Sequence, residues 1–427
     1  MGILRSFNIG VSGLHAAGAG MGIIGDNISN AGTMGFKSSR AEFQDVLATS
    51  LKGIDGGDQM GAGTKLAHIK PVMSQGDVTR TESITDLALN GNGFFMVNAG
   101  FGRGYTRDGS LNFDKEGQLI TGDNYPVLGF QADAKGKITN KIEPIKLGNT
   151  TINAKATEDV SVSMNLDSRE NVEKFDLLNP DKTSNYSSTL TVYDNIGTAR
   201  LITLYYNKAE NNTWEYHACV DGKDAQGGKE GQMYEMASGK LMFNDKGLLQ
   251  EKVEGKNAFN FNKGAAQGQK IKFDWGKTIK EGGEGMDAST QFGSKSTVAR
   301  HNQNGHTAAT LTSLSFNDNG ILTAVYDNGE SRDIAQIAVA KFENNEGLFK
   351  VGKNLFKESK LSGQAATGKP GEGGRGEVLS KSLELSNVDL AGEFVAMMGA
   401  QRNFTANAKT LTAADQMLQE VLAIKRT

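Results

Sequence analysis

Apolar and small residues recur at alternating spacings of four and three at both ends of the chain, a pattern that predicts a long helix at each end. In residues 6–29 the stripe consists of Phe7, Val11, Leu14, Gly18, Met21, Gly25 and Ile28, with Ile24 beside it. Near the other end it consists of Leu390, Phe394, Met397, Phe404, Ala408, Leu411, Leu418 and Leu422. Because both stripes are narrow and terminal, we predict two helices that form a coiled-coil-like pair.

Glycines make the N-terminal segment a poor helix former in isolation. The positions are Gly10, Gly13, Gly18, Gly20, Gly22 and Gly25. Each costs up to about 1 kcal/mol relative to alanine, so packing must supply the missing stability. Two arrangements would do so: a two-helix hairpin docked on its own domain, or contacts with neighbouring copies of the chain. We predict the second, with both ends becoming ordered when copies pack together.

The sequence between the two ends predicts short strands joined by tight turns. One pattern recurs, in which a phenylalanine is followed by a polar turn with glycine and by a new apolar strand. Its three copies occupy residues 113–119, 243–249 and 316–322, with Gly117, Gly247 and Gly320 in the turns. We expect these glycines to adopt positive φ, as such turns require. Residues 189–193 are predicted to return as residues 201–206 in a further hairpin.

These patterns predict an α+β multidomain protein in which mainly-β inner and outer domains are nested between the terminal helices. Two glycine-rich stretches, residues 53–63 and 363–376, are typical of flexible connectors. The predicted segments are a terminal helical domain at 1–30 and 386–427, a connector at 31–80 and 363–385, an inner β-domain at 81–160 and 298–362, and an inserted outer β-domain at 161–297. The outer domain contains both tryptophans, Trp214 and Trp275.

Composition and motifs argue against catalysis, metal binding and nucleic-acid binding. The chain has 427 residues, a formal net charge of −3, and 54 glycines but only 5 prolines, so it is neither polybasic nor collagen-like. Its five histidines and single cysteine lack metal-ligand spacing, and no phosphate-binding loop or nucleophile motif occurs. We therefore expect no enzyme, no catalytic residue, no cofactor and no metal, and we predict a structural protein.

The sequence also predicts neither a membrane-spanning helix nor a cleaved signal. No run of about 18 uninterrupted apolar residues occurs. The first residues lack the apolar segment and the small-residue cleavage site of a secretory signal. Composition is thus compatible with a multidomain protein that carries its apolar stripes at its ends.

Three sets of motifs occur in order along the chain. The N-terminal set comprises Ser12-Gly-Leu-His-Ala-Ala17, Ile24-Gly-Asp-Asn27-Ile-Ser-Asn30 and Gly35-Phe36-Lys37. The second set is residues 86–95 followed by Tyr105-Thr-Arg107-Asp-Gly109. The C-terminal set comprises Leu385-Ser-Asn387-Val-Asp389-Leu and Ala400-Gln401-Arg402-Asn403-Phe404. Together they resemble the flagellar rod and hook protein family.

The inserted outer domain and the stretches 191–197 and 302–348 are similar to hook members of this family rather than to the shorter rod members. The resemblance implies a structural subunit of a flexible tubular universal joint, which transmits torque from rod to filament and encloses the export channel. It also implies an extracellular location, reached through the flagellar export apparatus without signal cleavage. A distal rod subunit and an extracellular β-rich binding protein or adhesin remain as alternatives.

The partners implied by the resemblance are many copies of the chain itself, the distal rod proteins, the hook–filament junction proteins and, during assembly, the hook cap. Neither nucleic acid nor membrane insertion is implied. The motif residues that carry the resemblance are Asn27, Asn30, Gly35, Phe36, Lys37, Asn387, Asp389, Gln401, Arg402 and Asn403. Of these, Asn27, Asn30, Phe36 and Lys37 are expected to fix the first turn and its contacts with neighbouring copies rather than to perform chemistry. For Asn27 and Asn30 the alternative is capping of the helix C-terminus.

Cys219 is the only cysteine, so no internal disulfide forms. Spirochaete hook members of the family crosslink a cysteine-derived residue to a lysine of a neighbouring subunit, which makes Cys219 a candidate for such a bond. It lies, however, in the strand-like residues 214–220. A cysteine in such a strand is usually a small packed hydrophobe. We expect packing, with the crosslink as the alternative.

Overall fold

The computed structural model describes residues 2–47, 61–133, 136–283 and 288–424, with the side chains between residues 5 and 420 of those ranges. The protein is mostly β, with one long helix at each end, and it divides into two compact units. The first unit comprises Met1–Gly148, Ser313–Val325 and Ser331–Thr427, and the second comprises Asn149–Thr312 and Tyr326–Glu330. Most of the glycine-rich stretch 53–63 lies outside the described residues.

The elements follow one another in three groups along the chain. The first group is α1 (Gly2–Ser29), β1 (Ser39–Leu47), β2 (Gly61–Pro71), β3 (Val78–Arg80), β4 (Leu87–Asn90), β5 (Phe94–Ala99), β6 (Gly102–Thr106), β7 (Leu111–Phe113), β8 (Leu119–Thr121), β9 (Leu128–Ala132) and β10 (Ile138–Pro144). The second is β11 (Thr151–Ile152), β12 (Asp159–Asn165), α2 (Pro180–Thr183), β13 (Tyr186–Tyr193), β14 (Ala199–Glu210), β15 (Thr213–Asp221), β16 (Met233–Phe243), β17 (Leu249–Asn257), β18 (Lys272–Asp274), β19 (Thr297–Gln303) and β20 (Ala309–Phe316). The third is β21 (Ile321–Tyr326), β22 (Ser331–Ile337), β23 (Val339–Lys341), β24 (Phe349–Gly352), β25 (Leu355–Lys357), β26 (Ala366–Gly368), β27 (Glu377–Ser380), β28 (Ser382–Glu384) and α3 (Leu390–Ile424).

The largest sheet that lies wholly in the first unit has six strands in the order β24-β25-β6-β5-β23-β26. Its core is aromatic. The rings of Tyr105 and Phe342 meet edge to face with centroids 4.8 Å apart, and Phe94 packs beside Phe342. Edge-to-face contact of this kind adds to the stabilisation that comes from buried apolar area, so these rings stabilise the sheet.

Within the described residues, both predicted connector segments contain paired strands. In residues 31–80 the strands β1 and β2 form an antiparallel ribbon. In residues 363–385, β26 joins the six-stranded sheet, β27 pairs with β4, and β28 pairs with β3. The glycine-rich stretch 363–376, predicted to be flexible, contains β26, and the residues that follow it up to 384 include the buried Val378 and Glu384. The glycines that suggested flexibility lie in the turns that precede β27.

The second unit is built on a five-stranded antiparallel sheet in the order β13-β14-β15-β16-β17. A smaller sheet, in the order β18-β12-β19, shares its core. Alternate residues of β15 from Trp214 to Val220 enter that core, as the period of two in a strand requires. Trp275 is buried in the same cluster and packs against Tyr216, so both tryptophans belong to the second unit.

The turn predictions are confirmed. Gly117, Gly247 and Gly320 have φ of 73°, 77° and 67°. β13 and β14 pair in a register that places Thr189 opposite Thr203, which is the predicted hairpin. Short-range turn chemistry was therefore sufficient to place these hairpins.

We expect Gly247→Ala to destabilise the second unit more than Gly268→Ala. Both glycines have positive φ, which costs an alanine about 1–2 kcal/mol. At Gly247 the added Cβ would also press on the carbonyl oxygen of Gln291, whereas at Gly268 it would meet nothing within 4 Å. Urea unfolding followed by tryptophan fluorescence measures the difference. Equal losses of unfolding free energy in the two variants would contradict the expected clash with the Gln291 carbonyl oxygen.

Candidate assembly surface

The two terminal helices pack against each other through small residues. An added Cβ at Gly13 would lie 2.5 Å from the Asn407 side-chain oxygen, and one at Gly10 would lie 3.6 Å from the Asn407 carbonyl oxygen. Ala414 is 1% exposed. Small residues let helix backbones approach closely, so the glycines that weaken α1 in isolation are the residues that let α3 come near. A contact between the helices of one chain is therefore present.

The predicted apolar stripes divide into covered and uncovered positions. In α1 the six large apolar positions of the stripe are half-buried: Phe7, Val11, Leu14, Met21, Ile24 and Ile28. In α3, half-buried positions are Met397, Ala408, Leu411 and Leu418, and exposed ones are Leu390, Phe394 and Phe404. The side chain of Leu422 lies outside the described ones. The stripe on α3 is thus only partly covered by the chain itself.

A groove of about 750 Å³ lies between α1, α3 and the β1–β2 ribbon. Its walls are mainly small residues, among them Ala16, Gly20, Ala396 and Ala400. Ala396 and Ala400 on α3 are not part of the predicted apolar stripe, which consists mainly of large apolar side chains. Large apolar side chains instead remain exposed on α3: Leu390, Phe394, Val395, Met398, Phe404 and Met417. Exposed apolar side chains in such number mark an interaction surface.

A buried cluster of charges joins the helical ends to the strands. Lys37 Nζ lies 2.5 Å from Glu384 Oε1, and Arg107 donates to Glu384 Oε2 at 3.1 Å. The side chains of Lys37, Glu384 and Arg107 are 1%, 0% and 4% exposed. Ser74 offers its carbonyl oxygen to Lys37 Nζ at 2.6 Å, and Gly91 offers its carbonyl oxygen to Arg107 at 2.6 Å. We call Lys37, Glu384 and Arg107 the charge cluster.

Burial sets the electrostatics of the charge cluster. It lowers the pKa of the Lys37 ammonium and the pKa of the Arg107 guanidinium, because a charged group loses hydration inside the protein. The Glu384 carboxylate acts in the opposite direction on both groups. A single carboxylate thus balances two cations, and the carbonyl groups of Ser74, Leu89 and Gly91 accept further hydrogen bonds from them. Arg107 Nε is buried without a hydrogen-bond partner among the described residues.

Two asparagines tie the helix ends to the same region. Asn27 donates from Nδ2 to the Ser39 carbonyl oxygen and to Glu393 Oε1, both at 2.8 Å, and its Oδ1 accepts from the Ser39 amide. Asn387 accepts from the Ser38 amide at 2.8 Å and donates to the Val72 carbonyl oxygen at 2.9 Å. Each asparagine therefore links a helical segment to the chain next to β1 or β2.

The other motif residues have separate places. Asn30 donates to the Asp26 carbonyl oxygen at 2.9 Å, which is the capping geometry at the end of α1. Asp389 accepts from the Ala391 amide at 3.1 Å and so caps the start of α3. Capping therefore applies to Asn30 but not to Asn27, which bonds outside its own helix.

Gly35 and Phe36 complete the turn after α1. Gly35 has φ of 66°, and an added Cβ would lie 2.5 Å from the Asp108 amide nitrogen, so only glycine fits there. Lys350 Nζ lies 4.1 Å from the centre of the buried Phe36 ring. Of the remaining motif residues, Gln401, Arg402 and Asn403 are exposed on α3. The structure does not bring these three to the charge cluster.

The sequence analysis assigned no role to Glu384 or Glu393, and Arg107 appeared only inside a motif. A signal for Glu384 was present: it is a charged residue between the apolar Leu383 and Leu385, three residues before Asn387. A charge at such a position is buried only when it is paired. Its two partners are 277 and 347 residues away in sequence, so local patterns did not identify them.

Two further properties bear on the nature of the site. Within the part of the chain that the structure describes, no three His, Cys, Asp or Glu side chains are grouped to hold a metal ion. The segment Arg5–Ser29 of α1 is long and apolar enough to cross a membrane by length and composition. The expectation of no membrane-spanning helix relied on uninterrupted apolar runs, which this segment does not contain. A helix that packs against other helices meets the same criterion, so this property is weak evidence for a membrane span.

Comparison with known proteins identifies the family. The Borreliella burgdorferi flagellar hook protein FlgE is 31% identical over 99% of this chain and 100% of its own length. The Salmonella typhimurium flagellar hook protein FlgE is 31% identical over 98% of this chain and 100% of its own length. The chain belongs to the flagellar hook protein family. It is therefore a structural subunit of the bacterial flagellar hook.

Hook-family domains match in three places. Residues 88–165 match the flagellar hook protein FlgE/F/G D1 domain, residues 165–306 the flagellar basal body protein FlaE D2 domain, and residues 379–424 the flagellar basal body rod FlgEFG protein C-terminal family. The crystal structure of the Helicobacter pylori flagellar hook protein FlgE2 is similar in fold, with a TM-score of 0.53 and 14% identity, and covers 72% of this chain and 100% of its own. The Glu384 and α3 region thus lies in a matched segment.

Cys219 has the surroundings of a packed residue. It lies in β15, is fully buried, and burial raises the pKa of its thiol to about 12. A thiol reacts as the thiolate, which is scarce at neutral pH when the pKa is this high. The burial of Cys219 in β15 and the raised pKa of its thiol support the packing interpretation.

We expect Glu384→Gln to cost about 3–5 kcal/mol in the free energy of unfolding, because it leaves Lys37 and Arg107 buried without a counter-charge. Glu377→Gln is the matched control, since Glu377 is exposed in the neighbouring strand β27 and should change stability by less than about 0.5 kcal/mol. Equilibrium urea unfolding measures both variants. Similar small effects would show that the charge cluster is not a stabilising element.

We expect the Cys219 thiol to resist a chromogenic disulfide reagent at pH 8 in the native protein and to react fully in urea. The reason is its burial and its raised pKa. The number of labelled thiols before and after unfolding gives the answer. Rapid labelling of the folded protein would overturn the packed interpretation and favour a reactive role.

Proposed function

We propose that this hook subunit polymerises through its terminal helices into a flexible tube that transmits torque from rod to filament and encloses the export channel. The observation that carries the proposal is the row of large apolar side chains left exposed on α3, together with the small-residue contact between α1 and α3. In this proposal the helices pair as a coiled coil and form the inner tube. The β-domains are nested outside it.

The charge cluster supports transmission of force from the tube to the strands. It binds the segment after α1, the segment before α3 and the strand module at one buried point. Breaking a buried ion pair costs several kcal/mol, so this joint resists separation. Bending of the tube is then taken up between copies, where contacts slide.

The surface of the second unit supports sliding contacts. β17 is an edge strand of the five-stranded sheet and carries Glu251, Lys252, Glu254 and Lys256. Charged side chains on an edge strand discourage pairing with another strand. Copies that meet here would form contacts that are easily exchanged rather than a locked sheet.

The remaining parts of the proposal follow the family resemblance. The subunit acts outside the cell, is exported by the flagellar apparatus without signal cleavage, and has no enzymatic role. Its partners are other copies of the chain, the distal rod, the hook–filament junction proteins and the hook cap. The apolar character of α1 serves helix packing in the tube and not membrane insertion.

We expect deletion of residues 390–427 to abolish assembly while both β units remain folded, because the deletion removes the exposed apolar row and leaves both β cores intact. Electron microscopy of concentrated protein should show curved tubes for the full chain and none for the deletion variant. Circular dichroism and tryptophan fluorescence report whether the β units survive. Tubes formed by the truncated chain would contradict the proposal.

A further inference from the structure

We infer that the α1–α3 groove receives Leu390, Phe394 and Met398 from α3 of a second copy of the chain. We call these three residues the knob row. The inference rests on the proposed polymer and adds which surface meets which. The knob row is 44%, 52% and 51% exposed in the single chain, and its members recur every four residues, which places them on one face of the helix.

The groove has the complementary character. Its α3 wall is formed by Gly392, Ala396, Gly399, Ala400 and Asn403, and its α1 wall includes Gly13, Ala16, Ala17 and Gly20. An added Cβ at Gly399 would meet nothing within 4 Å, so open space adjoins the backbone there. Small walls around an open volume of about 750 Å³ leave room for large side chains.

A chain cannot fill its own groove with its knob row, because the two surfaces lie on different sides of α3. Phe394 and Ala396 are two residues apart, and so are Met398 and Ala400, which corresponds to about 200° around an α-helix. The knob row and the groove wall therefore lie on opposite sides of the same helix. A second copy is the occupant that satisfies both surfaces at once.

An interface between two different surfaces of the same chain propagates. The knob row of one copy enters the groove of the next, whose own knob row is again free, so the contact is heterologous and builds an open helical assembly. The α3 wall, residues 392–407, is longer than the knob row, residues 390–398, so the row can lie along it. The same helix thus supplies both the knob row and one wall of the groove.

Engineered disulfides test this pairing in the assembled polymer. A chain carrying Phe394→Cys and Ala400→Cys should form ladders of crosslinked copies on a non-reducing gel after mild oxidation of tubes. The matched control carries Phe394→Cys and Asp415→Cys, with the second cysteine at an exposed position of α3 that does not line the groove, and it should remain monomeric. The native chain accounts for any contribution of the buried Cys219.

A second test fills the groove with a large side chain and measures the critical concentration for assembly. Gly399→Phe should raise the critical concentration for assembly at least tenfold. Gly22→Phe, the same change at an exposed α1 position outside the groove, should change it by less than a factor of three. Monomeric 394/400 variants in tubes that assemble normally would overturn the inference and leave the proposed function standing. Failure of the native chain to form any tube would remove the proposed function, and this inference with it.

Discussion

The buried carboxylate of Glu384 is the constraint on which the first unit depends, because it is the counter-charge of two cations that come from distant parts of the chain. Lys37 follows α1, Glu384 precedes α3, and Arg107 belongs to the strand module. A buried charge without a partner is strongly unfavourable. The three segments therefore reach their native places together, and the ends of both helices are fixed where they join the strands.

The helix pair covers only part of its apolar surface. Gly10 and Gly13 of α1 lie close to Leu411 and Asn407 of α3, while Phe394 and Met398 remain exposed. A helix pair built only to be stable would bury its largest apolar residues, since these contribute most per side chain. Here the large side chains remain available for contacts that the single chain does not make. This exposure supports the proposal that α3 takes part in assembly.

The sequence was informative where the determining interactions are local. The positive φ of Gly247 follows from its turn, and the extents of α1 and α3 follow from the spacing of apolar residues. The partners of Glu384 and the use of Asn27 as a link to Ser39 depend on contacts distant in sequence or outside the helix. Leu411 of the predicted α3 stripe lies beside Gly10 of α1, whereas the small groove residues Ala396 and Ala400 were not part of that stripe. Glycine and alanine allow a close contact between helices because they have little or no side chain.

A flexible tube that transmits torque needs stiffness within each subunit and compliance between subunits. Asn27 and Asn387 add hydrogen bonds around the same joint as the charge cluster, so extending the joint would expose both charges and unpaired polar groups. A shift of the knob row within a groove of small residues would expose neither charges nor unpaired polar groups. The contact could therefore move at low cost, because the hydrophobic effect is non-directional. A directional, charged joint inside the subunit and a non-directional contact between subunits would therefore place the compliance where rotation of a bent tube requires it.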